Sequence, residues 1–198
     1  MAWTNPETFT AGQTLTAASM NAISGNLRAF GTPVSTLPAS PVVGEVALYE
    51  ADAANGIMWM LVYDGAGSYP WKYVGGPPLF AQYTTGFSTS STSFTTDTNF
   101  TGFPIPLAGD YFVTSTALGQ NSSAYQWWHW RPDGCSYPTS DSSGVRVSQG
   151  NNGNYESGTR SLRATLTTGT LSAKMRVIGA TATVVDRSIT VAPIRVAG

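Results

Sequence analysis

One cysteine, Cys135, and one histidine, His129, are all the chain holds of the residues that most often build disulfides and zinc sites. An internal disulfide framework is therefore excluded, and so is a Cys-rich zinc site. Charge is scarce as well: Asp, Glu, Lys and Arg make up 11% of the 198 residues, against about 25% in ordinary soluble domains. A formal net charge of −1 excludes a strong sequence-independent hold on nucleic acid or on an anionic membrane. No apolar run approaches the roughly 18 residues of a membrane-spanning helix, so no membrane insertion is expected. The opening MAWTNPETFTAG has neither a basic n-region nor an apolar h-region, and the expectation is a chain without a Sec signal.

What the chain does hold is Thr and Ser, 26 and 21 of them, with 21 Gly and 12 Pro. Hydrophobic residues at 41% and aromatics at 12% suffice for a core, which excludes wholesale disorder. This is the composition of a mainly β protein with many turns.

Three blocks follow one another. Residues 1–32 open with a turn-rich stretch carrying Trp3, Phe9 and Leu15 without alternation, read as an extended arm. A helix is predicted to start near Thr16, whose hydroxyl can cap the first turn. Met20, Ile23, Leu27 and Phe30 then fall at spacings of three, four and three, which is one apolar stripe. Gly31 is expected to take the left-handed conformation that ends a helix, and Pro33 cannot continue it. An isolated helix of this length is marginal in water, so the stripe needs a partner: the rest of its own chain, another protein, or sister copies.

Residues 33–79 contain three predicted strands, 45–50, 56–63 and 71–75, with Asp64-Gly65-Ala66-Gly67 as a bend. Leu48, Met58, Met60, Val62, Trp71 and Val74 are the expected core of this small block, which Gly75-Gly76-Pro77-Pro78 closes. Residues 80–198 read as many short strands: 80–84, 93–95, 99–105, 111–118, 125–131, 145–148, 155–167, 171–178, 182–185 and 188–196. Regularly spaced short strands without a helical period indicate an antiparallel sandwich of the jelly-roll type. The run from Ser88 to Thr98 reads equally as a flexible linker or an exposed edge strand. Residues 1–79 carry two basic and five acidic side chains, and residues 80–198 eight and six, an imbalance too small to name a partner.

No constellation for catalysis converges in this sequence, and the expectation is a protein that is not an enzyme. His129 lies between Trp128 and Trp130 and reads as a packed structural histidine. No serine sits in Gly-x-Ser-x-Gly, and Cys135 reads as a small half-buried hydrophobe. Asp133 and Asp141 flank an aromatic segment, but eight residues of turn-rich sequence specify no dyad geometry. No ligand spacing points to a metal, and no glycine-rich stretch leads into a lysine-bearing helix that would cradle phosphate. No cofactor is expected.

The one unusual cluster is Tyr125-Gln126-Trp127-Trp128-His129-Trp130. On a strand, Tyr125, Trp127 and His129 share one face, and Trp128 and Trp130 the other. One face enters the sandwich; the other faces solvent or a sister subunit. Tyr125, Trp127, Trp128 and Trp130 are therefore candidates for stacking on a glycan or for a subunit interface.

Several of these residues carry a resemblance. The opening, with Trp3, Thr10, Ala11, Gly12, Leu15, Thr16, Ala17, Ala18, Asn21 and Leu27, resembles the N-terminal module of many virion proteins of tailed bacteriophages. The second block is similar to a module that often follows it, through Gly44-Glu45-Val46, Ala51-Asp52, Asn55-Gly56, Trp59, Tyr63 and the run Trp71-Lys72-Tyr73-Val74-Gly75-Gly76-Pro77-Pro78. The third block resembles the trimeric jelly rolls of tumour-necrosis-factor-like and complement-type domains, through the segment 103–113 and the closing strand 188–196. The resemblance implies a phage particle component made in the host cytoplasm: a head decoration, head fibre or short tail spike. Its implied parts are a virion anchor at 1–32 (contacts through Trp3, Phe9, Leu15, Met20, Ile23, Leu27 and Phe30), a small β-meander domain at 33–79 and a jelly-roll head at 80–198. It further implies a homotrimer, with capsid or tail proteins as partners through residues 1–32. The alternative, which the aromatic cluster leaves open, is a receptor-binding tail protein that mediates adsorption to a host surface glycan. No coiled-coil shaft or extended repeat is present, which favours a short spike or decoration over a long fibre.

Overall fold

Pro77 and Pro78 mark the division of the computed structural model into two units, the first running to Pro77 and including Arg195–Gly198, the second running from Pro78 to Ile194. The structure describes residues 16–123, 126–148 and 153–198.

The first unit begins with helix α1 (Ala17–Gly31). The Thr16 hydroxyl accepts the Ser19 amide at 3.2 Å, and Met20 N donates to Thr16 O at 3.1 Å, the N-cap expected from the sequence. Gly31 ends the helix without entering the left-handed region; Pro33 alone supplies the stop. Strands β1 (Val46–Asp52), β2 (Ile57–Tyr63) and β3 (Trp71–Gly75) form an antiparallel meander, and Arg195 and Val196 pair with Lys72 and Trp71. Asp52 makes the first hairpin by accepting both the Asn55 amide (3.2 Å) and its side-chain amide (2.7 Å). Arg195 binds the Asp64 carboxylate and holds its carboxyl below the usual range, with help from the Ala66 amide.

The core of this unit differs from the sequence expectation. Ala47, Tyr49, Ala51, Trp59, Leu61 and Trp71 are buried, whereas Met60 and Val74 are 39% and 48% exposed. Strand β2 reads Ile-Met-Trp-Met-Leu-Val-Tyr, apolar throughout, so alternation could not say which face turns inward. The large Trp59 decides it, with its indole N–H donating to Pro77 O at 3.0 Å. Close by, Gly76 has φ +125°, and a Cβ there would stand 2.2 Å from the Met58 carbonyl oxygen. Only glycine permits that approach.

The second unit is a jelly roll. One sheet contains β4 (Leu79–Tyr83) and β5 (Phe87–Thr89), both paired to β13 (Ala182–Val196), then β8 (Gly109–Asn121) and β11 (Glu156–Leu166). The other contains β6 (Thr95–Thr96) and β7 (Phe103–Ile105), both paired to β12 (Gly169–Ile178), then β9 (Trp127–Asp133) and β10 (Val145–Ser148). Taking β4 with β5 and β6 with β7 as single strands, chain order places the first, eighth, third and sixth in one sheet. The second, seventh, fourth and fifth form the other, which is the double Greek key of a jelly roll. All these pairings are antiparallel where the register is defined. The strand expected at 99–105 is reduced to β7, and the two expected at 182–185 and 188–196 are one continuous strand. The last four residues, expected with the head, belong to the first unit.

Alternation on β8 and β12 sends Tyr111, Val113, Ala117, Leu171, Ala173, Met175 and Val177 inward to meet Trp128, Trp130, Leu166, Ile189 and Val191. Hydroxyls line the outer face of β8 and β11, where Thr114 meets Ser161 at 2.9 Å and Thr116 meets Thr159 at 3.1 Å. This cross-strand ladder accounts for much of the Thr and Ser content of these strands.

Candidate functional site

Strand β9 turns Trp128 and Trp130 inward and Trp127, His129 and Arg131 to its other face. Trp128 and Trp130 are fully buried within one chain, and this corrects their candidacy for a glycan or a subunit interface. Tyr125 lies outside the described residues. Trp127 remains, half-exposed. Of the expected anchor residues, Trp3, Phe9 and Leu15 lie outside the described residues. Ile23, Leu27 and Phe30 are on α1 with side chains outside the described set, and Met20 is 59% exposed.

The outer face of β9 is a layer of arginines and rings. In register, His129 stands between Arg146 of β10 and Arg176 of β12. Phe94, just before β6, covers His129 edge-on with ring centroids 5.0 Å apart. The Arg131 guanidinium lies 4.0 Å from the Phe94 ring centre and that of Arg176 4.7 Å. The stretch that read as linker or exposed edge is thus partly a cover for this face. His129 is buried with neither ring nitrogen hydrogen-bonded. Burial, reinforced by Arg176, Arg131 and Arg146 against the opposing pull of Asp141, brings its pKa down to about 4. It is therefore neutral at pH 7.

Most cations of this face are committed. Lys174 pairs with Asp133 at 2.9 Å and Arg176 with Asp141 at 2.6 Å; Arg131 donates to Thr139 O. Asp133 and Asp141 are therefore each held by a separate cation. Cys135 is half-buried, and burial raises its thiol pKa. Among the described residues no group of three His, Cys, Asp or Glu is placed to hold a metal, and no helix is long and apolar enough to cross a membrane.

A groove of about 470 Å³ lies where β10, the edge of one sheet, meets β11, the edge of the other; Asp141, Ser142, Arg146, Thr159 and Arg160 line it with Gly144, Val145 and Gly158. Gly158 permits the two edges to approach: a Cβ there would stand 2.7 Å from the Val145 side chain. Arg146 is stacked 4.2 Å from the Trp127 ring centre. The sequence reading missed Phe94, Arg146, Arg160 and Arg176. A signal existed, since Trp127, His129 and Arg131, and likewise Lys174 and Arg176, alternate with apolar neighbours. Nothing local said that β9, β10 and β12 lie side by side.

No protein-family model matches the chain, and no curated protein matches it. Solved structures similar to it include the PRD1 vertex protein P5, at 18% identity and a TM-score of 0.39 over 61% of this chain and all of that one. A structure of infectious bursal disease virus, Gt strain, is similar at 12% identity and a TM-score of 0.39 over 81% of this chain and 44% of that one. The C-terminal carbohydrate-binding module of LamC from Zobellia galactanivorans is similar at 11% identity and a TM-score of 0.31, over 57% of this chain and 99% of that one. Likenesses this distant assign no activity, and the functional reading rests on the chain's own residues.

Proposed function

We propose that the chain is a non-enzymatic structural surface protein of a bacteriophage virion, a homotrimeric decoration or short spike anchored through residues 1–32 and displaying the jelly roll outward. The observation that carries the reading is Met20. It opens the apolar stripe of a capped helix, yet is 59% exposed, and an apolar stripe of this kind calls for a partner surface. The N-terminal resemblance names that partner as a capsid or tail protein. Deleting residues 1–32 is expected to leave a soluble oligomer that no longer joins particles, read by particle sedimentation and immunoblotting. Light scattering of the full chain is expected to give three times the monomer mass. Assembly of the truncated chain onto virions overturns the anchor, and cleavage of host polysaccharide by the purified chain overturns the non-enzymatic role.

A second reading, adsorption to a host glycan, draws on half-exposed Trp127 on the arginine-rich face of the jelly roll. Substituting Trp127→Ala is expected to reduce adsorption while the oligomer persists. Unchanged adsorption overturns it.

A further inference from the structure

We infer that the groove between β10 and β11 is a binding site for a carboxylate-bearing saccharide, in which Arg146 and Arg160 take the carboxylate and Ser142 and Thr159 meet sugar hydroxyls. The inference deepens the second reading, naming the ligand class and moving the site from the Trp127 ring to the groove beside it.

Arg146 and Arg160 stand apart from the other cations of the jelly roll. Arg163, Lys174, Arg176 and Arg187 each have a carboxylate partner, and Arg131 has a carbonyl. Among the described residues, Arg146 and Arg160 have no such acceptor, and both line this one groove. Both guanidiniums line one groove whose single carboxylate, Asp141, is already paired with Arg176, so an anion there meets attraction from two uncommitted cations. The Arg146 guanidinium already rests over the Trp127 ring at 4.2 Å, so less freedom is lost when its N–H groups grip a planar carboxylate. That stacking also covers one face of Trp127, so an acidic group held by Arg146 explains the face better than a sugar lying on the indole.

The remaining lining suits a saccharide. Ser142 and Thr159 supply hydroxyls, and Val145 is the one apolar side chain among the lining residues. A volume of about 470 Å³ is within the ordinary range for small-molecule sites. Asp141, steadied by Arg176 at 2.6 Å, can accept from a sugar hydroxyl and places a negative charge at the wall. That charge disfavours a phosphate dianion relative to a carboxylate.

The test is titration calorimetry of the purified full chain with a tetrasaccharide of alternating glucuronate and N-acetylglucosamine. Its carboxyl-reduced neutral counterpart and a phosphorylated disaccharide serve as the other two arms. The expected result is saturable binding of the glucuronate probe, at least tenfold weaker binding of the other two, and at least a tenfold loss in each of Arg146→Ala and Arg160→Ala. Arg163→Ala, which removes an exposed cation on the same strand paired to Asp110 at 2.6 Å, is expected to bind as the unaltered chain does; thermal melts confirm that all three variants fold. No binding of the glucuronate probe, equal binding of the neutral one, preference for the phosphate, or an equal loss in Arg163→Ala each overturns the site. No cells enter this measurement, so its failure is distinct from failure of the adsorption assay.

Discussion

Arg187 grips Asp97 from ninety residues away, its Nε donating to Oδ2 at 2.6 Å and its Nη2 to Oδ1 at 2.9 Å. Both side chains have no solvent exposure. The same carboxylate accepts the Trp130 indole N–H at 3.1 Å and the Asn99 amide at 3.2 Å, and Nη1 of Arg187 donates to Thr85 O at 2.5 Å. The pair therefore joins β13 of one sheet to β9 of the other through the segment that follows β6. A buried ion pair is stable only when its spare donors and acceptors are met in this way.

Removing one partner leaves a buried charge uncompensated. Asp97→Ala is expected to destabilise the jelly roll by about 3–5 kcal/mol, read as the shift in a urea unfolding midpoint at unchanged slope. The double variant Asp97→Leu with Arg187→Met is expected to recover much of that loss, because no unpaired charge remains. A double variant no more stable than Asp97→Ala would indicate that the cost came from shape rather than charge.

Adjacent tryptophans on β9 should behave as opposites. Trp128 is in the core, so Trp128→Ala is expected to cost about 3–5 kcal/mol. Trp127 is half-exposed and shares its ring with two arginines, so Trp127→Ala is expected to cost less than about 1.5 kcal/mol. Denaturant unfolding of the two variants side by side checks the order.

His129 makes stability depend on pH. Its pKa is about 4 in the fold and 6.5 when unperturbed, so between these values the unfolded chain binds the additional proton. Stability from this group is full above about pH 6.5 and is lost as the pH falls toward 4. The melting temperature is expected to rise with pH across that window, and His129→Phe is expected to flatten the rise. The charged groups facing His129 are Asp141, Arg131, Arg146 and Arg176; an unchanged profile in the variant would show that this histidine is not the source of the slope.

Gly76 is expected to be intolerant of a side chain. Gly76→Ala forces a Cβ against the Met58 carbonyl at a φ that L-residues rarely adopt, and a loss of at least about 2 kcal/mol is expected. The effect should appear in near-ultraviolet dichroism of the first unit, where Trp59 and Trp71 report. Gly153→Ala, with open space at its Cβ and φ +77°, gives the cost of the backbone conformation alone.

Local chemistry by itself determined the capped helix from Ala17, the three strands of the second block and most strands of the jelly roll, though not β5 at Phe87–Thr89, because caps, turn residues and alternation act over a few residues. It also placed the Gly-Pro punctuation at the end of the second block, where Gly76 proves to be sterically required. Tertiary structure decided which face of the apolar strand β2 turns inward, so that Met60 is exposed while Trp59 and Leu61 are buried. It alone brought Arg187 to Asp97, and Arg146 to Arg160 across a groove between two sheet edges. Such pairings depend on which strands become neighbours, and strand neighbours in a jelly roll are far apart in the chain. No local spacing encodes them; burial of the whole set of inward faces at once selects them.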